Sequence, residues 1–376
     1  MKKYLFIGIA DQPLLEGLAL NIKKKEPNCK IDVISVTPLK NLRDIYDNVY
    51  LFPFYNWYYK NIKRGSHWIF SILLFFWCIP RRQKYDVVEL HYLWLFHNHI
   101  FCCYKRIGKK VIGVLWGSDI FRLSVKSYPS MKKLLLRCDK INCITEKMIS
   151  KINEISNGEI NNEKIVQARF GLEHLNDIDN LRNASYSKYK LADILNIKDI
   201  ERYSLIVTVG SNGSEGQQHL KILHLLSEIR NKSTLFLLPV TYGGNENYIS
   251  QLISVSEGLN IPVIFFTNFL SSNKIAALRL ITDIFIQLQI TDNLSAAMLE
   301  HLYAGNIVIT GKWLQYNILQ ENGVNIETIE NVDQIADKLN DCICNYNLYK
   351  NKQKINSEAI YKLASWEECI EKWIQL

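Results

Sequence analysis

Nine cysteines are scattered through the 376 residues without a single Cys-x-x-Cys pair. Cys102-Cys103 and Cys342-x-Cys344 suit neither a zinc site nor a disulfide framework, so a reducing compartment is expected. The apolar stretch Trp68–Ile79 is twelve residues without a charge, well short of the ~20 that a membrane-spanning helix needs. No secretory leader is legible either. Tyr4–Ile9 is too short for one and reads as a first strand, which makes a cytoplasmic protein the expectation. The chain also lacks a nucleic-acid-binding signature, a Gly-x-Gly-x-x-Gly fingerprint, a Walker lysine, a Gly-x-Ser-x-Gly elbow and any solenoid period. These absences remove nucleic-acid modules, P-loop enzymes, serine hydrolases of the elbow type and repeat proteins.

What is present is a chain with 48% hydrophobic and 22% charged residues, the balance of a folded globular protein. Its length suits two domains, each with its own core. The net charge of +8 is unevenly placed. Basic residues gather around aromatics at Trp57–Lys60, Lys63-Arg64, His67-Trp68 and Arg81-Arg82. Trp68–Ile79 between them has two readings. It is a buried core helix, or its apolar face meets a membrane surface while the flanking cations meet anionic headgroups. Both hold if they belong to different faces of one helix.

Strand-like runs alternate with helix-length segments, the α/β pattern. In the first half the strands are read at Tyr4–Ile9, Ile31–Val36, Asp86–His91, Lys110–Leu115, Lys140–Ile144 and Lys164–Phe170. From Glu173 to Asp199 the chain turns polar. The same alternation restarts at Ser204–Val209 and continues through Thr234–Val240, Val263–Phe266, Ile284–Ile290 and Asn306–Thr310. The expected division is a first Rossmann-like domain over 1–180, a linker over 181–203, a second Rossmann-like domain over 204–355 and a final crossover helix over 356–376.

Asp292 stands in the loop after the strand Ile284–Ile290, and Glu300 follows two helical turns into the next helix. In open α/β sheets ligands collect where strand ends feed helix starts, so both carboxylates are placed at a crevice mouth. Gly210-Ser-Asn212-Gly213-Ser214 follows the strand Ser204–Val209. Small residues there let backbone N–H groups approach a phosphate. Tyr242-Gly243-Gly244 offers a ring for stacking beside backbone that a ligand can approach closely. In the first half, Asp119 and His91 both fall at strand ends. Asp119 reads as a cleft carboxylate or a helix cap, and His91 as an acceptor-side base or a structural imidazole. Asp177-Ile-Asp179 has the form of a metal-binding pair but sits in the polar stretch, without a strong strand before it.

The Asp292-x7-Glu300 element resembles the carboxylate-x7-Glu motif of GT-B glycosyltransferases of the family-4 type, with Asp in place of the usual Glu. Val209–His219 and Leu238–Ile249 are similar to segments of bacterial 4-acetamido-fucosamine transferases. Trp116-Gly-Ser-Asp119 resembles the Gly-Ser-Asp segment common in GT-B enzymes, and Ala364–Trp373 resembles their final helix, which crosses back to the first domain. The resemblance implies two Rossmann-like domains facing across a cleft and a metal-independent transfer from a nucleotide sugar, with no cofactor. Glu300 would read the ribose diol, favouring UDP or GDP. Asp292 would face the donor sugar, with backbone at Asn293, Leu294 and Ser295 serving the diphosphate, while Asp119 and His91 would act on the acceptor side. The expected setting is bacterial surface-polysaccharide assembly, O-antigen or capsule. There a lipid-linked or saccharide acceptor is met at the inner face of the plasma membrane, with retention of configuration slightly favoured. No nucleic-acid partner is expected. The alternatives are a GT-B-fold nucleotide-sugar 2-epimerase and a non-catalytic nucleotide-binding partner protein.

Overall fold

The computed structural model describes every residue except Lys40, Lys63 and Arg64. The chain divides into two compact units, Met1–Gly171 together with Trp366–Leu376, and Leu172–Ser365. In the first unit the strands are β1 (Lys3–Gly8), β2 (Lys30–Ser35), β3 (Asn48–Tyr50), β4 (Tyr85–His91), β5 (Gly108–Val114), β6 (Lys140–Asn142) and β7 (Ile165–Val166). Its helices are α1 (Pro13–Lys25), α2 (Pro53–Asn61), α3 (Ser66–Cys78), α4 (His97–Ile107), α5 (Ser118–Phe121), α6 (Tyr128–Arg137) and α7 (Glu146–Ser156). The sheet order is β3-β2-β1-β4-β5-β6-β7, with every pairing parallel. Strands covered on both faces are apolar almost throughout, and Leu5, Phe6 and Ile7 are fully buried in succession.

The second unit holds β8 (Leu205–Val209), β9 (Thr234–Pro239), β10 (Val263–Phe266), β11 (Ile284–Gln287), β12 (Ile307–Gly311) and β13 (Glu327–Ile329). They form a parallel sheet in the order β10-β9-β8-β11-β12-β13. The helices are α8 (His174–Asn183), α9 (Lys188–Leu195), α10 (His219–Leu226), α11 (Glu246–Gly258), α12 (Ser272–Ile281), α13 (Ala296–Tyr303), α14 (Asn317–Glu321), α15 (Ile335–Cys344), α16 (Tyr346–Lys352) and α17 (Asn356–Ala364). Each sheet reverses its winding once, between β1 and β4 and between β8 and β11. The carboxyl ends of those strands are therefore where a ligand crevice is expected.

Residues 181–203, expected as a linker, are mostly helical. Leu175, Ile178 and Leu181 of α8 and Leu191 and Leu195 of α9 are buried in the second unit's core. The polar average of this stretch hides two amphipathic faces. At the other end, α18 (Trp366–Ile374) belongs to the first unit, with Trp366, Ile370 and Trp373 in that unit's core. Gly171 makes room for it, since a Cβ there would lie 2.5 Å from the Trp366 ring. The crossover runs over α18 alone. Residues 356–364, expected within it, form α17 against the second unit's core.

Candidate functional site

In the second unit a cavity of about 200 Å³ opens beside the carboxyl ends of β8 and β9. It is lined by Ser211, Thr241, Tyr242, Phe269, Arg279, Ala296, Ala297 and Glu300 among others. The first turn of α13 thus borders it through two small side chains, at the end of a helix that favours negative charge. Tyr242 and Phe269, 53% and 80% exposed, stack on one another with centroids 6.0 Å apart and planes 16° apart.

Glu300 projects from α13 and is buried. Its Oε2 accepts from Nε of Arg279 on α12 at 3.0 Å, and Nη2 of the same guanidinium completes the ion pair at 3.0 Å. Among the described residues nothing is bonded to its Oε1, which leaves one carboxylate oxygen for a ligand. Arg279 Nη1 donates to Nε2 of His301 at 3.0 Å, and Nδ1 of that ring lies 2.7 Å from the Asn306 amide. Burial, with the Arg279 charge beside it, holds the His301 imidazole well below its ordinary range, so the ring is neutral and accepts. Phe285 stacks on it at 4.0 Å. Glu300 is therefore fixed in direction by a buried network that its place in the motif does not disclose.

The glycine loop is held in part by its own backbone. Gly210 turns the chain at φ +67° after β8, where a Cβ would meet the buried His219 ring at 2.5 Å. The N–H of Gly213 donates to Tyr242 O at 2.7 Å, and that of Ser214 to Asn212 Oδ1 at 2.9 Å. Gly243, at φ +81°, and Gly244 close against this loop. Two donors expected for phosphate are thus committed, that of Gly213 to joining the two loops and that of Ser214 to a turn within its own loop. Ser211 is the residue of the 210–214 loop that reaches the cavity.

Asp292 does not line this cavity. Its Oδ2 accepts from the Tyr316 hydroxyl at 2.6 Å. Burial raises its carboxyl above the ordinary value, and the Tyr316 hydroxyl and the N–H groups of Asn293 and Ser295 pull the other way. Leu294 packs on the core, and Ser295 caps α13 by accepting from the Met298 N–H at 3.3 Å. This loop holds the helix that carries Glu300. Asp177 and Asp179 lie on α8, where they pair with His174 and Arg182, and Asp179 also accepts from Tyr303.

In the first unit the two expected acceptor-side residues are enclosed. His91 is 1% exposed, with Nε2 2.9 Å from Oε2 of the equally buried Glu89. Phe6, Trp116, Phe170 and Trp373 surround its ring. Asp119 accepts from the Leu93 N–H at 3.1 Å and from the Trp116 N–H at 3.1 and 3.2 Å. Burial pushes its carboxyl up to about 6, against those N–H groups, which favour the charged form. It is not the N-cap of α5, a place taken by Gly117 without a side-chain bond. It braces the loops after β4 and β5. A cavity of about 740 Å³ opens elsewhere in this unit, at the ends of β1 and β2, lined by Asp11, Gln12, Thr37, Tyr59 and Lys60 among others. Asp11 closes β1 much as Asp292 follows β11, and that placement was the signal available in the sequence.

No family model and no curated protein matches the chain. Solved structures do match over its whole length. A glycosyltransferase from Rickettsia africae has a TM-score of 0.77 at 14% identity, covering 100% of this chain and 97% of that one. Anabaena HepE in complex with UDP and glucose has a TM-score of 0.69 at 13% identity, covering 100% and 99%. Sucrose-phosphate synthase from Thermosynechococcus elongatus has a TM-score of 0.74 at 10% identity, covering 100% and 98%. The fold is therefore that of the GT-B glycosyltransferases, two doubly wound parallel sheets with a last helix returning to the first unit.

Proposed function

We propose that this chain is a glycosyltransferase that takes a sugar from a nucleoside-diphosphate sugar and passes it to a saccharide or lipid-linked acceptor. The observation that carries the reading is Glu300, held through one oxygen by Arg279 at the wall of the second unit's cavity, with the other oxygen free. A carboxylate oxygen so fixed suits a ribose diol, because charge-assisted hydrogen bonds to it are directional and strong. The Tyr242–Phe269 stack supplies a π-face for a base. Backbone at Ser211 and the first turn of α13 would take the diphosphate and carry its charge as the bond to the sugar breaks. That HepE was solved with UDP-glucose, and with UDP and glucose, supports a uridine nucleotide as the first to try.

The acceptor is assigned to the cavity at the ends of β1 and β2, whose carboxylate, amide, hydroxyls and aromatic ring match saccharide chemistry. Transfer without a metal and with retention follows from the family-4 resemblance, as does a place in bacterial O-antigen or capsule assembly. The test is turnover of UDP-[14C]glucose, with other UDP, GDP and dTDP sugars in parallel, against lipid extracts and free saccharides, with and without EDTA. Transfer that is unaffected by EDTA and lost in Glu300→Ala supports the reading. Full transfer by a folded Glu300→Ala protein removes Glu300 from the donor site.

A further inference from the structure

Helix α3 has two unlike faces. Phe70, Leu74 and Cys78, four residues apart, are buried in the first unit's core. Trp68, Ile72, Phe75, Phe76 and, just past the helix, Ile79 are 46–63% exposed and recur at the other helical spacing. Helix α2, joined to α3 through the Tyr55–Phe70 ring contact, adds an exposed stacked pair, Phe54 and Trp57. A contiguous apolar helix face left in water is a docking surface, since single exposed apolar side chains are ordinary and a stripe is not.

The charges around it select the partner. From Asn48 to Tyr85 the chain has no carboxylate, while it carries Lys60, Lys63, Arg64, Arg81, Arg82 and Lys84. Lys60 and Arg82 are exposed, and Arg81 lies over the Trp77 ring at 4.1 Å and donates to the Trp77 carbonyl at 2.5 Å. Lys63 and Arg64 lie outside the described residues. Lys84 pairs with Asp32 at 3.4 Å, but for the other five cations a second copy of this chain would bring like charges together with no acid from this segment to meet them. An anionic lipid surface meets them, and it takes Trp rings at its boundary and apolar side chains just below it.

We infer that the exposed face of α3, extended by Phe54 and Trp57 of α2, docks on an anionic lipid bilayer. At thirteen residues α3 is ~20 Å long, against ~30 Å of hydrocarbon, so it lies along the surface and does not cross it. No helix of the described residues is long and apolar enough to span a membrane. Helix α2 also supplies Tyr59 and Lys60 to the 740 Å³ cavity, so docking brings that cavity's wall to the lipid. This last point rests on the acceptor reading above; the docking itself does not.

The test is co-sedimentation with phosphatidylcholine vesicles, with and without phosphatidylglycerol. Wild type binds the anionic vesicles and is released as salt shortens the Debye length from ~10 Å at 0.1 M to ~3 Å at 1 M. The quadruple variant Trp68→Ser, Ile72→Ser, Phe75→Ser, Phe76→Ser partitions at least tenfold less. Arg81→Gln with Arg82→Gln lowers the preference for anionic over neutral vesicles. Leu348→Ser, at an exposed position of the second unit, changes nothing. Each variant is checked for an unchanged melting temperature and unchanged UDP binding. Failure of UDP binding in wild type would strike the donor reading and leave docking standing. Wild type that stays in solution with anionic vesicles overturns the proposal, and so does a quadruple variant that sediments like wild type. Wild type that ignores vesicles but elutes as a dimer, which the quadruple variant breaks, assigns the face to a second copy instead.

Discussion

Glu300 gives one carboxylate oxygen to Arg279 and keeps the other at the cavity wall, where the donor reading would place a ligand hydroxyl. Removing a ligand-facing charge at such a site costs about 1.5–3 kcal/mol of binding, so Glu300→Ala is expected to weaken UDP binding by that amount in isothermal titration. Arg279→Met should act on stability. With both side chains under a tenth exposed, it leaves a buried uncompensated carboxylate at a cost of ~3–5 kcal/mol in urea unfolding. Adding Glu300→Leu to Arg279→Met should recover part of that loss. Asp119 makes a separate case. Its folded pKa of about 6 lies above the ordinary 3.8, so between those values the native state holds more protons than the unfolded state. Stability therefore falls as pH rises through that window, and the penalty is complete above it, at ~3 kcal/mol. The difference in unfolding free energy between wild type and Asp119→Asn, followed from pH 4 to pH 7 on the order of a unit at a time, should carry this slope. A constant difference would show that Asp119 does not titrate there.

Elements were legible where periodicity and length agree. The strand runs at Tyr4–Ile9, Asp86–His91 and Ile284–Ile290 overlap β1, β4 and β11, because strands buried on both faces read as unbroken apolar runs. Helices α8 and α9 were hidden in the sequence because Asn and Asp on α8 and Lys, Tyr and Asp on α9 fill their outer faces. The spacing Leu175, Ile178, Leu181 was there to be read, and the mean polarity concealed it. For the site, the loop–helix placement of Asp292 and Glu300 was visible. Arg279 was not, being 21 residues upstream and brought near only by packing of α12 on α13. Nor was the spending of the Gly213 N–H on Tyr242, a bond between two loops. The buried pairing of His91 with Glu89 follows from both residues pointing to one face of β4, an alternation that a lone histidine at a strand end obscures. At this scale Gly171→Ala is expected to be severe. The new methyl would collide with the ring and Cα of Trp366, so α18 must shift and Trp373, fully buried, loses its seat. A drop in melting temperature of several degrees, with proteolysis beginning at residues 366–376, is the expected readout.

For the whole molecule, a ligand held only by the native state raises stability by mass action. UDP at a hundredfold excess over its dissociation constant should add ~2.7 kcal/mol, seen as a higher melting temperature. dTDP lacks the ribose 2′-hydroxyl, so its shift should be smaller if Glu300 reads the diol. Equal shifts for the two nucleotides would place the diol contact elsewhere. The net charge of +8 should also make the association rate of either nucleotide fall with salt.

Because α18 completes the first unit after the chain has left it at Gly171 and returned at Trp366, manufacture and assembly run in different orders. A ribosome adding ~5–20 residues per second needs roughly 10–40 s to traverse the intervening second unit. Throughout that interval the slot for Trp373 between Phe170 and His91 stands open on the nascent protein. The unit made first is finished last. A chain truncated at Ser365 and released from the ribosome should therefore hold a protease-resistant second unit beside a first unit that proteases still cut.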